Sequence, residues 1–449
     1  MDWEKILERL KTLLENGRHS ELRGALRMLN IVDIAQFLEE LDNNNRLLVF
    51  RILPKDISAD VFSYMSVDAQ QSLISLIGDQ EISALIHDMF LDDAVDFLEE
   101  MPANVVKRIL QHTDPQTRDL INQFLRYPEN SAGSIMTIEY MEVHEQMTVG
   151  QTMDLIRKVG LDKETIYTIY VIDKARHLIG AIPLRKLILE ENTAIVDNIM
   201  NRSIHSVPTS ADQEAVADLA RKYDLLAIPV VDAENRLVGI ITADDVMDVI
   251  EEENTEDFER MAALTPAEGE YLHTSSVRLA LNRIPWLLLL SVAAIFTGMI
   301  ITSFETLLKN ADVVLTACIP MLMDTGGNCG AQVSTLMIRG LALNELSFKD
   351  LFKILWKEFR VGLMIGFVLS IFTFVRVLLV NQATAAVSLV VSLALFCTVI
   401  LAKIIGCCLP LLAKRFKLDP AMMASPLITT IVDAAALALY FSIAKVVLF

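Results

Sequence analysis

The second half of the chain alternates long uncharged runs with short charged ones. Residues 284–304 form 21 consecutive positions without a charge, enough for one helix to cross a hydrocarbon core of roughly 30 Å at about 1.5 Å per residue. Four more apolar runs follow: 313–338, interrupted by Asp324; 361–380, with Arg376; a stretch within 384–412, with Lys403; and 422–441, with Asp433. Five spans predict termini on opposite sides of a membrane. Residues 349–360 place Leu351, Phe352, Leu355, Trp356 and Phe359 at helical spacing among lysines and Arg360, which predicts an amphipathic helix along the inner membrane face.

The first half has shorter periods. Residues 1–128 read as short amphipathic helices ended by Pro54, Gly78 and Pro102, with Phe37-Leu38-Glu39-Glu40 echoed by Phe97-Leu98-Glu99-Glu100 sixty residues on; this predicts a superhelical stack. A second repeat lies near 131–250, where Asp173 and Gly180 recur as Asp232 and Gly239, an offset of 59. Each copy reads as strand, turn, strand and helix, preceded by Ser134-Ile135-Met136 or Asn198-Ile199-Met200. From about residue 243 a long helix is expected. Met247, Ile250, Phe258 and Met261 make its apolar stripe, and Asp245, Asp248, Glu252, Glu256 and Glu259 the opposite one.

Charge divides the chain at the same place. From Tyr271 onward there are 14 Lys/Arg and 8 Asp/Glu; upstream there are 25 and 50, a net of −25 within a total of −19. Asp244, Asp245, Asp248, Glu251, Glu252, Glu253, Glu256, Asp257 and Glu259 follow one another with no Lys or Arg among them, so a folded state must exploit or neutralise their repulsion. Cations are the natural candidates. All five cysteines lie in the apolar half without metal-ligand spacing, which implies a reducing, cytosolic setting for residues 1–270. The start Met1-Asp2-Trp3-Glu4 has neither the basic leader nor the apolar core of a signal peptide. Arg278 and Arg283, then Arg339, Lys349, Lys353, Lys357 and Arg360, then Lys414, Arg415 and Lys417 flank alternate ends of the spans. The intervening loops contain Glu305, Lys309 and Asp312, then Asn381 and Gln382. The bias places the N-terminus in the cytoplasm and the C-terminus outside a plasma (inner) membrane.

Asp433 is the costliest residue of the last span, because a mid-membrane carboxylate is penalised by at least about 2.5 kcal/mol and usually faces a pore or a partner. Pro426, Thr429 and Thr430 share its helix face, and Pro426 is expected to free backbone oxygens toward water or an ion. An all-oxygen site suits a hard cation such as magnesium or calcium. The structural alternative is that Asp433 pairs with Lys403 or Arg376. A single carboxylate makes a poor divalent site, and a two-fold axis through the pore would double it, so a homodimer in the lipid bilayer is expected. The second span carries Pro320-Met-Leu-Met-Asp324-Thr-Gly326-Gly327-Asn328-Cys-Gly330-Ala-Gln332, and such a stretch requires a cavity or close helix contact.

The tandem repeat resembles a CBS-domain pair, a regulatory fold that often binds adenine nucleotides between its copies. In the second copy Gly239-Ile-Ile-Thr242-Ala-Asp244-Asp245 fits the family's Gly-apolar-apolar-Thr-x-x-Asp pattern. The first has Pro183 and Lys186 at the Thr and Asp positions. One nucleotide cleft, for ATP, is therefore expected near Thr242 and Asp245; a pair that only transmits motion is the alternative. The order of parts resembles the MgtE family of magnesium channels and transporters over essentially the whole chain. The motifs that carry the likeness are Pro320 to Gln332 and Asp419-Pro420-Ala421 leading to Pro426-Leu-Ile-Thr429-Thr430-Ile-Val-Asp433. The fold class that follows is a multidomain membrane protein. It has an all-α superhelical N-terminal domain (1–128), an α/β tandem CBS pair (129–198 and 199–250), an acidic connecting or plug helix (251–275, its helix starting near 243) and a five-helix transmembrane domain (276–449).

The resemblance implies a homodimer whose pore is lined by the second and fifth spans, at Pro320, Gly326, Gly327, Asn328, Pro426, Thr429 and Thr430. Asp433 of both chains would select hydrated Mg2+ and Asp419 would sit at the cytoplasmic mouth. Sensing carboxylates would be Asp60, Asp92 and Asp96 in the helical domain, Asp212, Glu214 and Asp224 in the second CBS copy, and Asp245, Asp248, Glu253, Glu256 and Asp257 on the connecting helix. Ser425 departs from the family pattern, which has Asn there. Seven scattered histidines, no P-loop and no nucleophile elbow leave no catalytic constellation, so no enzyme is expected, and no nucleic-acid partner. The competing readings are a nucleotide-regulated membrane enzyme or receptor, or a transporter of Co2+, Mn2+ or an anion.

Overall fold

The computed structural model describes residues 3–266, 271, 274–305, 313–423 and 425–448, the side chains of Asp56 and Ser425 excepted. Lys309 and Asp312 therefore lie outside the described residues. The chain divides into two units, residues 1–251 and 252–449.

The first unit begins with ten short helices: α1 (Trp3–Glu15), α2 (His19–Leu26), α3 (Ile31–Glu39), α4 (Asn43–Ile52), α5 (Lys55–Ser63), α6 (Val67–Leu76), α7 (Asp79–Asp88), α8 (Leu91–Glu99), α9 (Ala103–His112) and α10 (Pro115–Phe124). Asn30, Asp42 and Asp114 cap the starts of α3, α4 and α10 by accepting from free N–H groups of the first turn. α3, α4, α5, α7 and α8 each pack on the helix two places on, the pattern of a superhelical stack rather than a closed bundle. The Phe-Leu-Glu-Glu echo falls at equivalent places in α3 and α8, with Phe37, Leu38, Phe97 and Leu98 buried and the glutamates outside. Phe62 meets Phe97 edge to face at 5.0 Å, which ties α5 to α8.

The repeat that follows forms two three-stranded sheets, β1 (Met141–His144), β2 (Thr168–Ile172) and β3 (Leu178–Pro183), then β4 (Val207–Pro208), β5 (Ala227–Val231) and β6 (Leu237–Thr242). In each, the first strand runs parallel to the second and the second antiparallel to the third. α11 (Val149–Val159), α12 (Leu184–Leu189), α13 (Val196–Ile199) and α14 (Gln213–Tyr223) cover them. The leading segments are exchanged: Thr137 bridges to Ile240 of the second sheet, and Asn201 to Ala181 of the first. This explains the repeated glycines. A Cβ on Gly180 would stand 2.2 Å from the sulfur of Met200, and one on Gly239 2.6 Å from that of Met136.

α15 (Ala243–Met261) crosses the division, residues 243–251 belonging to the first unit and the rest to the second. Its expected apolar stripe is corrected in part: Met247 and Phe258 are exposed and Val246 and Val249 are buried instead, while Ile250 and Met261 pack partly buried against apolar clusters as expected.

The second unit contains α16 (Ser276–Ser303), α17 (Val313–Ala317), α18 (Ile319–Ala342), α19 (Leu351–Leu379), α20 (Ala385–Arg415) and α21 (Ser425–Leu448). Among the described residues, four helical segments, 276–303, 348–379, 385–415 and 420–448, are long and apolar enough to cross a membrane. α18 has 24 residues, long enough at about 36 Å, but it is more polar; it can be so because α20 and α21 cover its glycine face. The separate interfacial helix expected over 349–360 is corrected. Nothing in that stretch breaks a helix, and α19 runs unbroken through it. Lys403 of α20 meets Glu358 of α19 at 3.4 Å, both nearly buried, so the cationic residue of the fourth span is partnered within the unit. α16 has no buried residue and packs chiefly on α21.

The tightest helix contact is between α18 and α20, where a Cβ on Gly406 would lie 2.5 Å from the carbonyl oxygen of Gly330. Backbone cannot yield there as a side chain can. Gly406→Ala is expected to destabilise the membrane unit by about 2 kcal/mol, read as a lower detergent melting temperature than the parent. An unchanged melt would contradict this packing.

Candidate functional site

Acids of four segments converge in the first unit. α8 places Asp92 and Asp93 in its first turn, α5 contributes Asp60, the start of α15 contributes Asp244, Asp245 and Asp248, and Glu164 lies in the loop before β2. Asp92 is 9 % exposed and one of its carboxylate oxygens has no hydrogen-bond partner. Burial, then repulsion from Asp93, Asp245 and Glu164, pushes its pKa well above the usual carboxylate range. Burial followed by Asp245 and Asp60 raises Asp93 to about 6, and burial followed by Asp244 and Asp245 raises Glu164 to about 7. Burial also raises Asp60 and Asp248. Asp245 is raised by burial despite accepting from both the backbone N–H (3.1 Å) and the hydroxyl (2.5 Å) of Thr242.

Among the described residues no three His, Cys, Asp or Glu side chains gather closely enough to chelate a bare ion.

The remaining expected sensing residues are dispersed. Asp96 lies exposed one turn further along α8. Asp212 caps the start of α14, accepting from the N–H of Glu214 at 2.9 Å, and Asp224 ends the same helix in the left-handed conformation at φ 51°. Eleven helical residues lie between those caps, a rise of about 18 Å from one to the other, so they do not make one site. Glu253, Glu256 and Asp257 belong to the second unit. There Arg260 donates to both Glu256 and Asp419, and burial followed by the Asp419 charge raises Asp257 to about 6. Glu164 and Arg260 were not legible as site residues, since neither carries a motif and each matters only through its neighbours in space.

Between the two repeats lies a cleft of 730 Å³, lined in part by Tyr167, Pro183, Arg185, Asn201, His205 and Asp224. His205 stacks on Tyr223 at 3.7 Å beside it. Thr242 and Asp245 do not line this cleft; they are engaged with one another at the head of α15. The expected location near them therefore differs from that of the open cleft.

In the membrane unit, α18 and α21 meet along glycines. A Cβ on Gly326 would stand 3.1 Å from Val432, one on Gly327 2.9 Å from Thr429, and one on Gly330 2.8 Å from Ile428. Only glycine lets α21 approach so closely. Asp433 stands at this seam, 3.8 Å from the Gly327 Cβ position, with one buried oxygen that has no hydrogen-bond partner. Lys403 is held by Glu358, and Arg376 adjoins Cys318; neither is the partner of that oxygen. Asp324 is near enough to repel it. Asp324, Asn328 and Gln332 are exposed, a polar row at four-residue spacing beside the glycines, and the spacing was the signal by which Asp324 and Gln332 could have been found. Pro320 lies near the start of α18, largely exposed.

The expected release of carbonyls by Pro426 is corrected. α21 starts at Ser425, so Pro426 occupies a first-turn position where a missing N–H is not needed. Its carbonyl accepts from both Thr429 and Thr430 hydroxyls at 2.9 Å. The side chain of Ser425 is outside the described residues. Asp419 caps the short turn Pro420–Met423 by accepting from the N–H of Ala421 at 2.8 Å, and Ser334 of α18 donates to the carbonyl of Met423 at 2.8 Å.

Family models match three parts of the chain: a divalent cation transporter domain, MgtE, over residues 319–443; the MgtE intracellular N domain over 29–130; and a CBS domain over 196–252. The magnesium transporter MgtE of Thermus thermophilus is 36% identical over 99% of this chain and 99% of its own length. That of Bacillus subtilis is 32% identical over 99% and 98%. Among solved structures, the cytosolic domain of the Mg2+ channel MgtE in complex with ATP matches 54% of this chain and 99% of that one, with 37% identity and a TM-score of 0.52. The soluble part of a magnesium transporter matches 56% and 99%, with 31% identity and a TM-score of 0.54.

The raised acids fix the sign of a pH effect. Each has a pKa in the folded unit above its unfolded value, so its charge costs stability above that pKa, and the cost is relieved as pH falls from 7 toward 4. In buffer free of divalent ions, the first unit of the full chain is expected to resist protease longer at pH 5.5 than at 7.5. Asp92→Asn should stabilise it by about 1–2 kcal/mol at pH 7.5 and flatten that dependence. A destabilised Asp92→Asn would show that the carboxylate is not under repulsive load.

Proposed function

The chain belongs to the MgtE family of magnesium transporters, and we propose that it admits Mg2+ to the cytoplasm through a homodimeric pore that closes when cytosolic Mg2+ binds its acidic domains. The observation that carries the pore assignment is the unpartnered buried oxygen of Asp433 at the glycine seam of α18 and α21. A carboxylate so placed has a cost that only a cation or a second polar surface removes. Two copies facing one another would present two such carboxylates and two rows of Asp324, Asn328 and Gln332, a ring of oxygens suited to a hydrated divalent ion. The same charges repel anions, which argues against the anion alternative. A plasma-membrane location with residues 1–266 inside and the C-terminus outside fits the loop charges.

Regulation is linkage. An ion bound more tightly by the docked than by the separated arrangement favours docking in proportion to that difference. Asp60, Asp92, Asp93, Glu164, Asp245 and Asp248 supply the first unit's share of that affinity. Glu253, Glu256 and Asp257, with Asp419 at the cytoplasmic mouth, supply the second unit's. Asp96, Asp212, Glu214 and Asp224 are assigned to further ions on the exposed surface. Entry of Mg2+ is downhill because the cell interior is negative, by about 2.3 kcal/mol per charge for each 100 mV.

The cleft lined by Tyr167, Arg185 and His205 is the position we assign to ATP, in place of Thr242 and Asp245. Its aromatic and basic lining suits an adenine ring and phosphates. A related cytosolic domain was crystallised with ATP.

Two outcomes check this reading. Mg2+ uptake into proteoliposomes should fall at least about tenfold in Asp433→Ala, and equal uptake by variant and parent would refute the pore. Protease cleavage within residues 1–266 should slow when Mg2+ is added, and equal cleavage rates would refute the sensor.

A further inference from the structure

We infer that Arg260 is a built-in cation that latches the connecting helix to the pore mouth, so that the closed arrangement is held in part without any bound ion. The inference rests on the reading of Asp419 as the pore mouth. Arg260 is the one basic side chain in α15, and its guanidinium spans two acids, donating through one nitrogen to Asp419 and through the other to Glu256. The planar fork of arginine suits such bridging. All three side chains are between one fifth and about one third exposed, so water screens the contacts incompletely.

The other oxygen of Asp419 is taken by the N–H of Ala421. Both carboxylate oxygens are thus committed, one to the turn that precedes α21 and one to α15. The adjoining contact is apolar: Met261, next in sequence, packs on Ile338 of α18 and Ala421 of that same turn. The end of α15 is therefore docked on the two segments that carry the proposed pore residues, by one charged bridge and one apolar contact.

Two consequences follow from charge alone. A guanidinium between Asp419 and Glu256 partly neutralises the acids that a divalent ion would otherwise occupy together with Asp257, and so competes with it. It also stabilises the docked arrangement when the ion is absent. Arg260 is a positioning residue: it sets how far the pore opens at low cytosolic Mg2+ by holding α15 to Asp419.

The test is initial Mg2+ uptake by the full-length protein in vesicles with luminal Mg2+ clamped over a series, the cytosolic domains inside. Arg260→Gln is expected to raise uptake at the lowest luminal Mg2+ by about 3- to 10-fold and to leave uptake at the highest unchanged, because the bared acids still bind the ion. Arg260→Lys should fall between. Unchanged uptake at the lowest concentration overturns the latch. Should Arg260→Gln fail to fold, Arg260→Cys is modified in the assembled protein with a cationic or a neutral methanethiosulfonate, the parent being treated alike because of its five cysteines. Restored closure by the cationic reagent alone supports the latch, and equal effects of both overturn it. Asp433→Asn is run in parallel. If it conducts as well as the parent, the pore reading has failed and the latch fails with it, an outcome separate from any result at Arg260.

Discussion

Like charges buried together set the terms for the rest of this molecule. Two unit charges about 6 Å apart repel by roughly 3 kcal/mol at an effective dielectric of about 20, and a domain's whole stability is about 5–15 kcal/mol. The first unit nevertheless brings Asp92, Asp93, Asp245 and Glu164 within reach of one another, and one oxygen of Asp92 is enclosed with no donor to satisfy it. Such a cluster is tolerable when protons or cations share it. Under the proposed function, a divalent ion takes the share of this relief that protons leave, and so biases whether these surfaces stay together.

The membrane unit handles its own charges differently. Lys403 is matched by Glu358, while the acid at the helix seam is left unmatched. The glycines of α18 bring α21 so close that Asp433 is held at a fixed position, and the polar row beside it is exposed within a helix otherwise suited to apolar surroundings. The two units share a feature, a buried acid oxygen with no hydrogen-bond partner, and the proposed function gives it different ends: in one unit a count of ions and in the other their passage.

Much of this was legible before the coordinates. The repeat spacing of 59 placed the two sheets, and the structure adds why its glycines are glycines: Met136 and Met200 cross to the opposite copy and rest on them. Periodicity could reveal the repeat but not the exchange, which is a matter of which copy a leading segment joins. The acidic helix is evident from charge, whereas side-chain size does not settle its buried face: Val246 and Val249 pack while the larger Met247 and Phe258 stay exposed. The interfacial helix before the third span was misjudged because amphipathic spacing does not say whether a helix bends. Asp433 stood out because a carboxylate in an apolar run is expensive wherever the fold puts it. Glu164 did not, since an acid in a polar loop acquires significance only from the helices that fold over it. A nucleotide site is expected from the consensus near Thr242 and Asp245; in the fold those two residues are bonded to each other at the start of α15, and the open cleft between the repeats is lined by other residues.

The central claim joins passage to the acids that count ions, and recording from the unmodified protein tests it most directly. In inside-out patches at fixed external Mg2+ and fixed voltage, the inward Mg2+ current is measured while Mg2+ at the cytosolic face is stepped from nominally zero to several times its resting level. The account predicts that open probability falls steeply and reversibly with each step, beyond what the reduced gradient alone produces. An open probability that is unchanged, or that rises, would contradict it.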